Sequence, residues 1–435
     1  MNLIIENIRC FSGRHSVLIK PLTILVGENS TGKSTLLAAL SAVCNAASFP
    51  GQPGLNDPPY DLGTFDTIAT YKGGKYGRDH HFSLGYSWPD PDQDTPREVI
   101  ATYESKDGQP TIRTLTVRSP RGDITLSFDN GDLTGDVSFV PSESKSRIEF
   151  KFQDRVPENI PFSRNVARQV LFQGGVAQST DVARGERRPH GFMIELQRFL
   201  SESLSGPRES VSLAPIRSRP KRTYDEISDE FKPEGGHIPL ILARVLDVKS
   251  QNKHKEKLQA TIQRLGQESG LLTKVGVKKL GRKAGDPFQI LVTVAGRPAN
   301  LPDVGYGVSQ ALPIIVQSVL ATQDRMLLIQ QPEVHLHPRA QAALGSLFAE
   351  FVAKEKKQLV VETHSDHLLD RLRQEVANKT LSPESLGILF FERHGTETKI
   401  HPLKVDGAGN IVRPPRSYRA FFLQEELKLL SRANR

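Results

Sequence analysis

The spacing of apolar residues changes character several times along this chain. Near the start, Leu3-Ile4-Ile5 and Val17-Leu18-Ile19 are short β-prone runs on either side of Arg9-Cys10-Phe11-Ser12-Gly13-Arg14, which predicts a pair of strands. Leu22-Thr23-Ile24-Leu25-Val26 is a continuous apolar run, the pattern of a buried strand. Ser34-Thr35-Leu36-Leu37-Ala38-Ala39-Leu40 then favours a helix, and residues 45–62, rich in Pro and Gly, read as loop. From 78 to 153 apolar and polar residues alternate between turn signals such as Asp107-Gly108 and Asn130-Gly131. Ile112-Arg113-Thr114-Leu115-Thr116-Val117 is a clear example. A period of two predicts an antiparallel β-meander. Residues 154–190 carry little regular signal and read as a loop, whereas Met193 to Leu204 has the pattern of an amphipathic helix.

Val211-Ser212-Leu213-Ala214-Pro215 reads as a short buried strand before the basic turn Arg217-Ser218-Arg219-Pro220-Lys221-Arg222. Residues 237–281 read as helical and strongly basic, with Lys253, Lys255, Lys257, Lys274, Lys278 and Lys279, and Arg282 just beyond. From Phe288-Gln289-Ile290-Leu291-Val292-Thr293-Val294 onward, strand and helix signals alternate, as a parallel α/β sheet requires. No internal repeat, low-complexity tract or sustained heptad run interrupts this order.

Composition narrows the class. At 435 residues, with 24% charged and 37% hydrophobic residues, the chain suits a soluble globular protein with two or three cores. No stretch approaches eighteen consecutive apolar residues, and Met1-Asn2-Leu3-Ile4-Ile5-Glu6 lacks a basic leader. Neither a membrane span nor a signal peptide is expected. Cys10 and Cys44 are the only cysteines, which excludes a disulfide scaffold and a cysteine zinc site and fits a reducing cytoplasm. The net charge of +8 permits nucleic-acid contact, and solubility alone explains it equally well.

Candidate chemistry sits where strand patterns end. Gly27-Glu28-Asn29-Ser30-Thr31-Gly32-Lys33-Ser34, followed by Thr35, fits the phosphate-loop pattern G-x-x-x-x-G-K-[ST] at every required position. It lies between a predicted strand and a predicted helix. Backbone N–H groups at the helix N-terminus would cradle a triphosphate, Lys33 would reach the β- and γ-phosphates, and the Ser34 hydroxyl would ligate Mg²⁺. Phe11 or Arg14, on the preceding strand pair, would stack on the base, or Phe11 would belong to the core.

Further along, Met326-Leu327-Leu328-Ile329 runs into Gln330-Gln331-Pro332-Glu333-Val334-His335-Leu336-His337-Pro338. Gln358-Leu359-Val360-Val361 leads to Glu362-Thr363-His364-Ser365. A histidine delivered at the C-terminal edge of the sheet is suited to sensing a γ-phosphate. Upstream, Asp303-Val304-Gly305-Tyr306-Gly307-Val308-Ser309-Gln310 opens an apolar helix, and Gly305, Gly307 and Ser309 mark a second anion site at a helix N-terminus. Two such termini suggest a site shared between subunits. His335 and His337 could ligate a metal, but a packed, hydrogen-bonded pair is the better reading without a third ligand. Asp181, Asp225 and Glu226 form no recognisable nuclease constellation.

Taken in order, Gly27–Ser34, Asp303–Gln310, Gln330–Pro338 and Glu362–His364 resemble the ABC-type ATPase heads of the SMC, RecF and OLD group. The resemblance is nearest to the bacterial AAA-family, OLD-like ATPases of anti-phage defence and DNA repair. It covers about 1–75 and 285–435, the middle only loosely through Ala214-Pro215-Ile216-Arg217, and extends to Phe421-Phe422-Leu423-Gln424-Glu425-Glu426. It implies an α/β fold of the ABC-type P-loop head, with a mixed sheet and flanking helices. The head would be formed by 1–77 and 285–435, interrupted by a β subdomain at 78–153 and a loop and basic helical insert at 154–284.

The resemblance also implies ATP and Mg²⁺ as cofactors and a homo-dimer or higher oligomer formed through the heads. Ser309 would touch the γ-phosphate held by the partner, Glu362 to His364 would form the switch with His364 as sensor, and His335 to Pro338 would face the dimer. The chain departs from many relatives at Gln330 and Gln331, where two acids would hold Mg²⁺ and activate water. An amide accepts no proton, so turnover is expected to be slow unless the turn brings Glu333 inward as base. Gln330 is either natural to this branch or an engineered trap. One reading is an ATP-dependent switch controlling a separate effector, a nuclease or toxin. The other is an ATPase that clamps DNA itself, with the basic stretch 249–283 as its surface. A transporter ATPase is disfavoured, because the signature is not of the LSGGQ kind.

Overall fold

The computed structural model describes the chain apart from residues 75–76, 90–95, 130, 142–146, 156–161, 181–189, 226–227, 248–252, 284, 295 and 419–435. A hairpin, β1 (Asn2–Ile8) and β2 (Phe11–Leu18), opens the chain; β3 (Leu22–Gly27) then leads into α1 (Lys33–Cys44). After α2 (Phe65–Ile68) come β4 (His81–Trp88), β5 (Arg97–Lys106), β6 (Gln109–Ser119), β7 (Gly122–Asp129), β8 (Asp132–Phe139) and β9 (Ile148–Arg155). Next are α3 (Arg164–Thr180), α4 (His190–Ser203), β10 (Glu209–Leu213), α5 (Ile238–Asp247) and α6 (Lys253–Ser269). A small sheet of β11 (Lys274–Lys279), β12 (Phe288–Val294) and β13 (Arg297–Asn300) precedes α7 (Tyr306–Leu320) and β14 (Arg325–Gln330). The described elements close with α8 (Pro338–Glu355), β15 (Gln358–Glu362), α9 (Asp366–Ala377), β16 (Leu386–His394), β17 (Glu397–Val405) and β18 (Ile411–Val412).

Two compact units result. The first comprises Met1–Ile19, Ser34–Ser210 and Gly395–Thr398. Its eight-stranded sheet has the order β2-β1-β4-β5-β6-β7-β8-β9, and every register recorded in it is antiparallel. Period-two alternation puts Phe82, Tyr103, Leu115, Val117, Ile124 and Leu126 in its core, with Phe82 stacked on Tyr103 at 5.1 Å. Phe11 is fully buried, so its core role holds and its stacking role does not, and strand β2 already begins there. Arg14 pairs with Glu98.

One sequence expectation fails in this unit. Residues 164–180, read as loop, form α3. Glycine disfavours a helix interior, but a Cβ on Gly174 would lie 2.6 Å from Phe152, and one on Gly175 2.3 Å from Leu196. They let the helix lie against β9 and α4, and that burial outweighs the roughly 1 kcal/mol helix penalty of each glycine. The tail at 421–426 and the candidates Asp181 and Glu226 lie outside the described residues.

The second unit comprises Lys20–Lys33, Val211–His394 and Lys399–Arg435. Its seven-stranded sheet runs β10-β14-β15-β3-β16-β17-β18, with β14, β15, β3 and β16 mutually parallel and β17 and β18 antiparallel. The fold is thus α/β with a mixed sheet and flanking helices. The central strands are apolar along their length and buried, the pattern of parallel strands. Leu22, Ile24, Leu327, Ile329, Leu359 and Val361 join Ile315, Leu344, Phe348 and Leu368 in one core. Here a second expectation is corrected. The helical reading of 237–281 ends at Ser269, where Gly270 turns at φ +71, and Lys274, Lys278 and Lys279 lie on strand β11. Val275, fully buried, and half-buried Val277 pin that strand to β12. Among the described residues no helix is long and apolar enough to cross a membrane.

Candidate functional site

Parallel strands bring their C-terminal ends to one edge, and in the second unit β3, β15 and β14 end there side by side. The phosphate loop grows out of β3. Gly27 pairs with Phe391 on β16, and at its φ of +144 a Cβ would stand 2.4 Å from the Phe391 carbonyl oxygen, so only glycine fits. Ser30 and Gly32 also take positive φ, 61 and 90, which curls the loop. Glu28, Asn29 and Ser30 are exposed; Thr31 is buried, and its hydroxyl donates to the Glu28 carbonyl at 2.8 Å. Arg393, on β16, donates to the Ser30 carbonyl at 3.2 Å.

Lys33 is buried and folded back over the loop, donating to the Gly27 and Glu28 carbonyls at 3.0 and 2.6 Å. Burial lowers its pKa, against the attraction of Glu362 and then Glu28. A phosphate offered to this loop would replace two neutral carbonyls with charged oxygens. Ser34 follows, exposed at the start of α1, and Thr35 is buried.

The neighbouring strand ends supply the rest. Gln330 and Glu362 are register partners, and the Gln330 amide donates to a Glu362 carboxylate oxygen at 3.4 Å. The Gln330 Oε1 is buried with no hydrogen-bond partner. Gln331 turns at φ 43, and its N–H extends the ladder to the Glu362 carbonyl at 2.8 Å. That turn aims Glu333 at the segment after β15: its carboxylate accepts from the Thr363 hydroxyl at 2.8 Å and from the His364 N–H at 2.7 Å. Burial raises the Glu333 pKa; those two hydrogen bonds and the charge of Arg217 oppose the rise. His364 is exposed at the surface, while desolvation of its ring and then the charge of Lys33 lower its pKa, which favours the neutral imidazole. Ser365 caps α9 by accepting from the Leu368 N–H.

Arg217 was not singled out from sequence, where it reads as one of several charges in a basic turn. It is 2% exposed and donates to the carbonyls of Gln330 at 2.8 Å and Gln331 at 3.1 Å. Burial pushes its pKa down to about 10, against the pull of Glu333. It clamps the turn that carries Glu333. A basic residue directly after the apolar run Val211–Ile216 was the available signal. Glu362 was read as part of the switch; the fold makes it also the carboxylate beside Gln330 and facing Lys33.

The second glycine-framed helix also forms. Gly305 is the N-cap residue of α7, and a Cβ on it would meet open space. A Cβ on Gly307 would stand 2.6 Å from the His335 carbonyl, so this turn packs on the loop after β14, with Tyr306 edge-on to His335 at 4.9 Å. Ser309 lies one turn in, 5% exposed, its hydroxyl donating to the Tyr306 carbonyl at 2.7 Å. The groups presented to solvent here are Gly305 and Tyr306. His335 and His337 are engaged separately: His337 Nδ1 accepts from the Arg339 N–H and caps α8.

Comparison with known proteins agrees with the loop and its surroundings. A family model described as an AAA domain matches residues 2–269, and one described as an AAA ATPase domain matches 193–369. An OLD nuclease from Thermus scotoductus is 24% identical over 382 residues, which are 84% of this chain and 59% of the relative; the chain therefore spans about three-fifths of that protein's length. Among solved structures, the SMC head domain of Thermotoga maritima is 11% identical with a TM-score of 0.41, covering 93% of this chain and 98% of that one. The Smc head domain with an extended coiled coil bound to the C-terminal domain of ScpA, from Pyrococcus furiosus, is 9% identical with a TM-score of 0.43, covering 100% and 99%.

Proposed function

The chain belongs to the AAA-domain family of ATPases, and from that premise we propose that it is an ATP-dependent switch whose copies associate over bound nucleotide and control a separate effector. The observation that carries this reading is the convergence of Lys33, Gln330, Glu333, Glu362 and His364 at the ends of three adjacent parallel strands. The loop N–H groups and Lys33 hold the phosphates, with Lys33 exchanging its loop carbonyls for phosphate oxygens.

Glu333 is the general base. Its hydrogen bonds to Thr363 and His364 orient the carboxylate, and burial shifts its pKa toward the range where a base works at neutral pH. His364, neutral and beside Lys33, donates to the γ-phosphate. Arg217 positions Glu333 through the Gln330–Gln331 turn. Gln331 contributes its backbone to that turn.

The residues present fit a magnesium ion. Gln330 Oε1 is an orphaned buried acceptor, an amide oxygen of the hard kind Mg²⁺ accepts, and Glu362 brings a carboxylate beside it. Gln330 would hold the ion; when bound it neutralises charge on the β- and γ-phosphates.

Association would place Gly305, Gly307 and the N-terminal turn of α7 against the partner's nucleotide. The effector is a nuclease or toxin and the setting is anti-phage defence; of these, the likeness to a protein described as an OLD nuclease supports only the link to a nuclease. The deciding experiment is sedimentation velocity of Glu333→Gln with Mg-ATP. An ATP-dependent shift to a dimer or larger species, absent from Lys33→Ala, is expected. Identical sedimentation with and without ATP overturns the switch. A plaque assay comparing the parent with Lys33→Ala tests the setting.

A DNA-clamping ATPase is the second reading, favoured by Lys274, Lys278 and Lys279 exposed along β11, with Arg282 and Lys283 after it. Part of the basic stretch is otherwise engaged: Lys257 pairs with Glu355 at 2.6 Å and Arg264 pairs with Glu350 on α8.

A further inference from the structure

On β16, alternate residues share a face, so Glu392 and His394 project together and Arg393 projects opposite. β17 lies beside β16, and its His401 joins them. The His394 Nε2 lies 3.0 Å and the His401 Nε2 2.7 Å from the same atom, Oε2 of Glu392. All three ligand atoms fall within 4.8 Å of one another.

We propose that Glu392, His394 and His401 form a binding site for a divalent transition metal ion of the zinc type, separate from the phosphate loop and its magnesium.

The donor set carries the assignment. Two imidazole nitrogens and a carboxylate are the ligands that zinc and its neighbours select, and they are poor at holding Mg²⁺ against water. Proximity carries it further: the three ligand atoms come from two adjacent strands and already lie within 4.8 Å of one another, close enough for one ion to bridge them after a small shift. Tetrahedral ligands at about 2.0–2.2 Å from zinc stand roughly 3.4 Å apart. The two nitrogen–oxygen separations, 3.0 and 2.7 Å, need to open by about 0.4 and 0.7 Å to receive the ion.

Support for the ligands is also built in. The His401 ring lies 6.0 Å from Phe390, tilted by 34°, and Phe390 meets Tyr418 edge-on, which fixes the imidazole's direction. His394 is exposed, which leaves the fourth position open to water or to a ligand from another molecule. Arg393, between two of the ligands in sequence, binds the phosphate loop at Ser30, so an ion here would stiffen the strand that braces the loop.

The test uses the full chain, stripped with chelator and titrated with CoCl₂ and then ZnCl₂ without nucleotide. One equivalent of Co²⁺ should give the intense visible bands of a tetrahedral site, and Zn²⁺ should bleach them. His401→Phe, which keeps the ring against Phe390, and His394→Asn, on an exposed position, should each weaken Co²⁺ binding by roughly tenfold or more. Lys33→Ala should bind Co²⁺ as the parent does, which separates this site from the nucleotide site. Absent bands, or binding that survives both histidine substitutions in folded protein, overturns the proposal.

Discussion

In the proposed mechanism Lys33 and Glu333 each act as single residues, one on the phosphates and one on the attacking water. Lys33→Ala should remove nucleotide binding by calorimetry, because the phosphate charge would sit in the loop without a countercharge, a loss of several kcal/mol in a partly buried site. Unchanged affinity would remove the phosphate-loop assignment. Glu333→Gln should cut turnover by about 10²–10⁴ and leave binding intact. The pH profile gives the sign. As the proposed base, Glu333 works when ionised, and its pKa is raised above the ordinary 4.5, so rate should be lost as pH falls through a value higher than that of a free carboxylate. In Glu333→Gln that acidic limb should vanish. Gln330→Glu should raise turnover, and it carries a mark of its own. A second carboxylate would face Glu362, so the variant should have a lower melting temperature than the parent without Mg²⁺ and regain it with Mg²⁺. An indifferent melting temperature would remove Gln330 from the metal site.

Secondary-structure elements place these residues, and here Arg217 decides more than its sequence context suggests. Three donations to two carbonyls tie the segment after β10 to the turn after β14. Arg217→Met should lower stability by about 1–3 kcal/mol, since it leaves the Gln330 and Gln331 carbonyls without their donor. It should also move the acidic limb of the rate profile to higher pH, because Arg217 pulls the Glu333 pKa down. A limb that stays in place would mean that Arg217 is structural only. The phosphate loop, the helix at 306–320 and the parallel strands were legible because each is a local pattern. α3 was not, since Gly174 and Gly175 break a helix by propensity and make one only against Phe152 and Leu196. β11 was not, since its lysines sit equally well on a helix until Val275 and Val277 find β12.

For the whole molecule, the shared-site reading predicts complementation. Lys33→Ala lacks the loop's charge, and Gly305→Glu places an anion at the second helix N-terminus, at a position with open space for the side chain. Each alone should be inactive. A mixture of exchanged subunits should recover part of the ATPase activity through the one intact composite site; no recovery would mean that each chain works alone. The clamp reading predicts duplex binding that weakens steeply with salt and loses slope when Lys274, Lys278 and Lys279 become Gln. Salt-independent or absent duplex binding would leave the switch reading standing.

The sequence by itself determined that a triphosphate loop joins a buried strand to a helix, and that the C-terminal half alternates strand and helix. Those features depend on residues within a few positions of one another, so periodicity and glycine chemistry suffice. Only the tertiary structure decided that Glu333 turns toward Thr363 and His364, that Arg217 reaches across more than a hundred residues to hold that turn, and that Glu392, His394 and His401 meet at one point. Strand order decides which distant residues become neighbours, and burial and charge then act between side chains whose proximity no local pattern encodes.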